Sequence, residues 1–214
     1  MWYMGGKARI APEILPIILD GRKDGQLYVE PFCGGCNSLQ HVTGNKIGSD
    51  INRYLIAMWK GLQQGQERPR NITKQMFEDA KADFRNNTNE HYSNFLIAWI
   101  GFMASFNGTF LTGFSGNNPQ KDYIGGAMRS VEKQIDKILD VDFYACSYDE
   151  LPIPDKSIIY CDIPYRDTSN YKVKKGFDHD RFWAWCALQK KKDIGFLLVN
   201  IQPRKVLIAY GVER

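Results

Sequence analysis

No apolar run in this sequence approaches the roughly 20 residues that a membrane-spanning helix needs, and the N-terminus has no signal-peptide core. A membrane or secreted protein is therefore not expected, and a cytoplasmic one is. Histidine is scarce, with three copies far apart, and the five cysteines are an odd number scattered through apolar stretches. Such usage argues against a disulfide framework and fits reduced thiols. Charge of one sign is also missing. The net charge is only +4, which admits a polyanionic partner but falls short of the basic balance of a dedicated nucleic-acid binder. Internal repeats are absent. What is present is a chain of 214 residues, 43% hydrophobic, enough for one sizeable core with a smaller inserted lobe.

Elements alternate along the chain. Lys7 to Leu19 predicts a helix broken by Pro12 and Pro16, and "QLYVEPF" a strand ending at Glu30. "CGGCNSL" predicts a glycine turn into a helix near Asn37, "NKIGSD" a second strand ending on Asp50, and "INRYLIAMWKGL" a second helix. This order is a βαβ unit, so a parallel sheet with crossover helices is expected. Further helices are predicted at Thr73 to Phe84, at Tyr92 to Phe106 and from about Ile124 to Leu139. Between the last two lies "FNGTFLTGFSGNNPQKDYIGG", too long and aperiodic for an ordinary connection. Arg129, Lys133 and Lys137 recur every four residues. Such a stripe is usually a solvated face, but beside an aromatic, glycine-rich loop it could meet phosphates. "VDFYACSYDEL" and Ser157 to Cys161 supply two more strands, the latter closed by Pro164.

Three stretches could carry chemistry. In "EPFCGGCNSL", a strand runs into a glycine turn, where backbone can approach a ligand closely and Asp50 could take ribose hydroxyls. The Cys33 and Cys36 pair within it could be a redox couple at a helix start. A zinc site would need two further ligands, which the isolated Cys146, Cys161 and Cys186 do not offer. The second stretch, Asp162-Ile163-Pro164-Tyr165, places a carboxylate at a strand end. Its plain reading is a capped proline turn. Its chemical reading starts from an exocyclic amino group, a poor nucleophile because its lone pair is delocalised into the ring. The Asp162 carboxylate and the Ile163 carbonyl can accept its two N–H bonds, while an aromatic face stacks on the base. The third, "YMGGK", offers a lysine after two glycines and an aromatic, or simply a solvated tail.

Taken in order, these stretches resemble one family, the amino-methylating DNA adenine methyltransferases of the Dam type, in particular its compact phage-like members. "YMGGK" is similar to the family's N-terminal motif and "VEPFCGG" to its S-adenosylmethionine motif. "FNGTFLTGFSG" resembles its target-recognition stretch, "SYDELPIPDKSIIYCDIPY" its third and fourth motifs, and "FDHDRFWAWC" its following helix. The resemblance implies an α/β fold with a Rossmann-like, S-adenosylmethionine-dependent methyltransferase sheet, the catalytic core formed by 1–65 and 141–214. A mainly helical target-recognition region, 66–140, is inserted. It implies double-stranded DNA as partner, a flipped adenine methylated on N6, no metal, and a monomer.

The family's roles fall on residues of this chain as follows. S-adenosylmethionine would be held by Tyr3, Lys7, Pro31, Phe32, Cys33, Gly34, Gly35 and Asp50, with Asp162 beside it. Asp162, Pro164 and Tyr165 would receive the adenine, and Asn107, Arg129, Lys133 and Lys137 would contact DNA. Two departures bear on activity. The family usually has two prolines where this chain has Ile163-Pro164; the acceptor there is a backbone carbonyl, so a looser turn that still permits activity is expected. The second begins after Lys192, where the family continues Ser-Glu-Tyr-x-Ala-Pro and this chain reads "LVNIQPRKVLIAYGVER". Leu198 to Arg204 can be encoded as TTA GTG AAT ATA CAG CCC CGA, which read from the third base gives Ser-Glu-Tyr-Thr-Ala-Pro. A reading-frame slip near Lys190 to Lys192 is therefore expected. Two other readings remain: a catalytically impaired DNA- or cofactor-binding remnant, and transfer to another amino or amide nitrogen.

Overall fold

The computed structural model describes residues 1–3, 5–116, 121–164, 177–190, 196–202 and 205–211. Among the described residues, six strands form a single sheet in the order β3-β2-β1-β4-β5-β6. They are β1 (Tyr28–Glu30), β2 (Lys46–Ser49), β3 (Val141–Tyr144), β4 (Ile158–Asp162), β5 (Phe196–Gln202) and β6 (Lys205–Gly211). The first five run parallel, and only the β5–β6 pair is antiparallel. The α/β reading and its parallel sheet are thus observed. The tail forms two strands, because its Leu, Val and Ile content suits a pleated surface.

Alternate strand residues feed two separate cores, as the two-residue period of a strand requires. Tyr28, Ile158 and Tyr160 face one core, shared with α1 (Ala11–Ile18), α2 (Arg53–Gln63), α3 (Lys74–Asn86), α4 (Asn94–Met103) and α5 (Tyr123–Ile135). Val29, Ile47, Ile159 and Cys161 face the other, closed by Phe182, Trp185 and Cys186 of α6 (His179–Lys190) together with Tyr148 and Leu151. A sheet covered on both faces explains why β1 and β4 read as unbroken apolar runs. The helices between α2 and β3 share the first core rather than building one of their own.

Local chemistry sets the helix starts. The side chains of Asn52, Thr73, Ser93 and Asp122 accept backbone N–H groups at the starts of α2, α3, α4 and α5. Three expectations are corrected. The first helix begins at Ala11 and runs through Pro16, since Pro12 sits in the first turn, where no N–H is needed. No α-helix follows the glycine turn: Gly34 and Cys36 both have left-handed φ, and only a 3-10 turn, Leu39–His41, forms. Lys137 lies beyond the end of α5, so the basic stripe is helical only at Arg129 and Lys133.

Candidate active site

Because β1 lies between β2 and β4, the C-terminal ends of the three strands sit side by side, bringing together residues far apart in sequence. The turn after β1 is held from several directions. Cys33 donates its N–H to the Ser49 carbonyl at 2.8 Å. Trp59 of α2 donates its indole N–H to the Gly34 carbonyl at 3.0 Å, and Gln134 of α5 donates to the Gly35 carbonyl at 3.1 Å. Pro31, Cys33, Gly34 and Gly35 are buried, and Phe32 stacks on Tyr148 with ring centroids 5.4 Å apart. Tyr3 lies directly on the two glycines. A Cβ at Gly34, whose φ is +46°, would come within 2.9 Å of the Tyr3 ring, so both the conformation and the close approach require glycine.

Asp50 follows β2 at the same edge. Its Oδ2 accepts the Gly34 N–H at 3.2 Å and its Oδ1 the Asn52 N–H at 2.8 Å. Burial pushes its pKa up, opposed by those two N–H groups. A carboxylate oxygen has two lone pairs, so each Asp50 oxygen has capacity for one more donor, which suits a vicinal diol. Ile51 beside it is 79% exposed and offers an apolar wall at the rim. Nothing in its sequence context distinguishes it, since a lone apolar residue after an acid carries no signal.

Asp162 closes β4, with its carboxylate Oδ1 3.0 Å from the Lys7 ammonium, the two side chains 21% and 13% exposed. The "YMGGK" stretch and the "DIPY" stretch, 155 positions apart by number, therefore meet. Lys7 also donates to the Gly5 carbonyl at 3.1 Å. Pro164 follows in the turn, and its carbonyl lies 2.9 Å from Nε2 of His179, whose Nδ1 is 2.9 Å from the Phe177 carbonyl. His179 thus holds the turn at Pro164 from outside. Tyr165 lies outside the described residues.

Glu30, at the end of β1, is a buried carboxyl whose sequence context marks only a strand end. It accepts the Tyr28 hydroxyl at 2.7 Å, and burial, opposed by that hydrogen bond and reinforced by Asp162, pushes it up to about 8. The folded chain therefore keeps a proton that the unfolded chain releases above about pH 4.3. Stability is present below that value and falls as pH rises toward about 8. Glu30→Gln keeps the acceptor and cannot ionise, so its melting temperature relative to the parent should rise between about pH 5 and about pH 8. A constant difference across that range would show that Glu30 does not titrate this way.

The remaining expected residues fall as follows. Burial pushes the Cys33 thiol well above its ordinary value and raises Cys36 as well, which disfavours the thiolate that redox or metal chemistry needs. Asn107 stands at left-handed φ in the turn Phe106–Gly108. Arg129 is exposed and paired with Asp122 at 2.9 Å, while Lys133 and Lys137 are exposed. Among the described residues, no helix is long and apolar enough to cross a membrane.

The edge that joins Tyr3, Lys7, the glycine turn and Asp50 lies within the part of the chain that a family comparison recognises. Residues 3–121 match the D12 class N6 adenine-specific DNA methyltransferases, and the match ends before β4. Since that match covers more than half of the 214 residues, the chain belongs to the D12 class of N6 adenine-specific DNA methyltransferases.

Proposed function

We propose that the chain transfers a methyl group from S-adenosylmethionine to the N6 amino group of an adenine flipped out of double-stranded DNA. The observation that carries this is Asp162 at the open end of β4, its carboxylate against Lys7 and beside the glycine turn and Asp50. Asp50 would take the ribose hydroxyls, Ile51 would lie against the cofactor's adenine, and Tyr3, Lys7 and residues 31–35 would line the rest of the cofactor's pocket. S-adenosylmethionine supplies a methyl group already activated by its sulfonium, so the protein's task is position and acceptors.

The Lys7 ammonium occupies an oxygen of Asp162 that the target amino group would use. Adenine arrival would shift Lys7 and leave the carboxylate, with the Ile163 carbonyl, to accept the two N–H bonds. Accepting them localises the nitrogen lone pair toward the methyl donor. The base must leave the stack first, at a cost of a few kcal/mol. Residues 66–140 would form the recognition region, with Asn107, Arg129, Lys133 and Lys137 against DNA.

The test is incubation with labelled S-adenosylmethionine and adenine-containing duplex, then mass analysis of the nucleosides. Label in N6-methyladenine is expected; label on another base or on protein would overturn the reading. Replacing Arg129, Lys133 and Lys137 together by alanine should weaken binding to all duplex sequences alike and lower the salt slope by up to about 3. An unchanged slope would return these side chains to a solvated face.

A second reading is favoured by one observation. β5 lies in register beside β4, with Asn200 opposite Asp162, so the departing tail text borders the catalytic turn itself. On this reading the chain binds cofactor and DNA but turns over weakly. Calorimetric cofactor binding measured beside turnover separates the two.

A further inference from the structure

A groove runs away from Lys7 along the N-terminal segment. It holds about 700 Å³ along that segment, and its lining includes Tyr3 and Lys7, already placed at the cofactor's pocket, with Trp2, Arg9, Asn37 and Asn107. Trp2 and Asn107 are shared with a second cavity of about 210 Å³, which continues toward Phe106, Lys121 and Tyr123. The two cavities are neighbours through Trp2 and Asn107, and the larger also reaches Lys7, the lysine that touches Asp162. Four aromatic residues line the smaller cavity, Trp2, Phe102, Phe106 and Tyr123. Trp2 is 50% and Phe106 55% exposed, unusual for side chains whose area would otherwise favour burial. Phe106 lies 6.4 Å from Tyr123, and the Lys121 ammonium sits 4.7 Å above the Tyr123 ring.

The placement of these aromatics is built in rather than incidental. Phe106 and Asn107 are presented by a turn in which Asn107 has left-handed φ, and Gly108 packs so closely on the N-terminal segment that a Cβ there would lie 2.7 Å from the Trp2 carbonyl. By contrast Phe110, from the same stretch, turns inward and stacks on Phe102 at 4.6 Å. The charges agree with one another. Among the described lining residues of both cavities the ionisable side chains are cations and tyrosines, and none is a carboxylate.

We propose that the smaller cavity is a stacking site for an unpaired nucleobase of the substrate DNA, with Trp2 and Phe106 as the stacking faces and Lys121 and the neighbouring Arg9 toward the phosphates. The inference rests on the DNA-methylating reading and extends it to residues that the catalytic turn does not use. Flat apolar faces bordered by cations suit a planar base on a polyanionic strand, because every base has a π-face while phosphates meet only the cations. Such a site would hold a neighbour of the flipped adenine and lower the cost of unstacking it.

The test needs no turnover. A fluorescein-labelled oligodeoxyadenylate is compared by anisotropy with an abasic strand of equal length, which keeps the phosphates and lacks the bases. The parent should bind the base-bearing strand at least about tenfold tighter than the abasic strand, the scale of one base stacked on an aromatic. Trp2→Ala and Phe106→Ala should each lose most of that excess with the salt slope unchanged, and Trp2→Phe should keep most of it. Melting curves confirm the fold of each variant. Equal binding of the two strands by the parent, or an undiminished excess in both alanine variants, overturns the stacking site while leaving methylation in place. Failure of the parent to bind any DNA at low salt overturns the functional reading and this site with it.

Discussion

Asp162→Ala should abolish methyl transfer to adenine, with a loss on the order of 10²–10³-fold or more, while the chain remains folded. The magnitude is that of removing one preorganised polar partner from a developing charge. Structure makes the second half of the expectation as firm as the first. Asp162 lies at the end of its strand and is partly exposed, and the core of β4 is built by Ile158, Ile159, Tyr160 and Cys161, which the substitution leaves in place. Lys7 would lose its ion pair, a modest cost for groups with access to solvent. Asp162→Asn keeps an acceptor oxygen without the charge and should fall between parent and alanine variant. Radiolabel incorporation into duplex measures the loss, and melting curves measure the fold. Activity within a few-fold of the parent would remove Asp162 from the catalytic role.

The second large effect is expected from the tail. β5 runs parallel to β4 with Leu198, Val199 and Asn200 opposite Tyr160, Cys161 and Asp162. The Ser-Glu-Tyr text recovered by reading one base out of frame would fall on 198–201, on the strand that pairs with the Asp162 end of β4. Strand formation is tolerant of such a change, since both texts are apolar enough to pair. Side-chain identity beside Asp162 is not, because a strand presents alternate residues to opposite faces and new identities alter both the packing and the pocket wall. A version whose coding sequence is shifted by one base after Lys192 should turn over at least about tenfold faster than this chain and melt a few degrees higher, as about 1 kcal/mol would give at this size. Equal turnover and equal melting temperature in the two versions would dispose of the frame-slip proposal as a functional claim.

Much of the sheet was legible because its cues are local. β-branched and aromatic runs stopped by Glu30-Pro31 and by Ile163-Pro164 predict strand ends, and the helices expected within 51–62, from Thr73 and within 92–106 are each present. The helix expected near Asn37 failed for a reason no window shows. The carbonyls of Gly34 and Gly35 are taken by Trp59 and Gln134 from distant helices, and the backbone follows those partners into left-handed φ. Phe106 and Phe110 show the same limit. They are four positions apart in one stretch, yet one faces solvent and the other packs on Phe102.

By itself the sequence determined which elements form, that they alternate toward a parallel sheet, and that Asp50 and Asp162 terminate strands, because periodicity, proline and caps act over a few residues. Only the tertiary structure decided that Lys7 meets Asp162 at 3.0 Å and that Glu30 is buried at the centre of that edge, with its proton retained to about pH 8. It also placed Asn200 opposite Asp162 in the strand register. Those facts follow from strand order, and strand order is set by which faces can be buried together across the whole chain rather than by any segment of it.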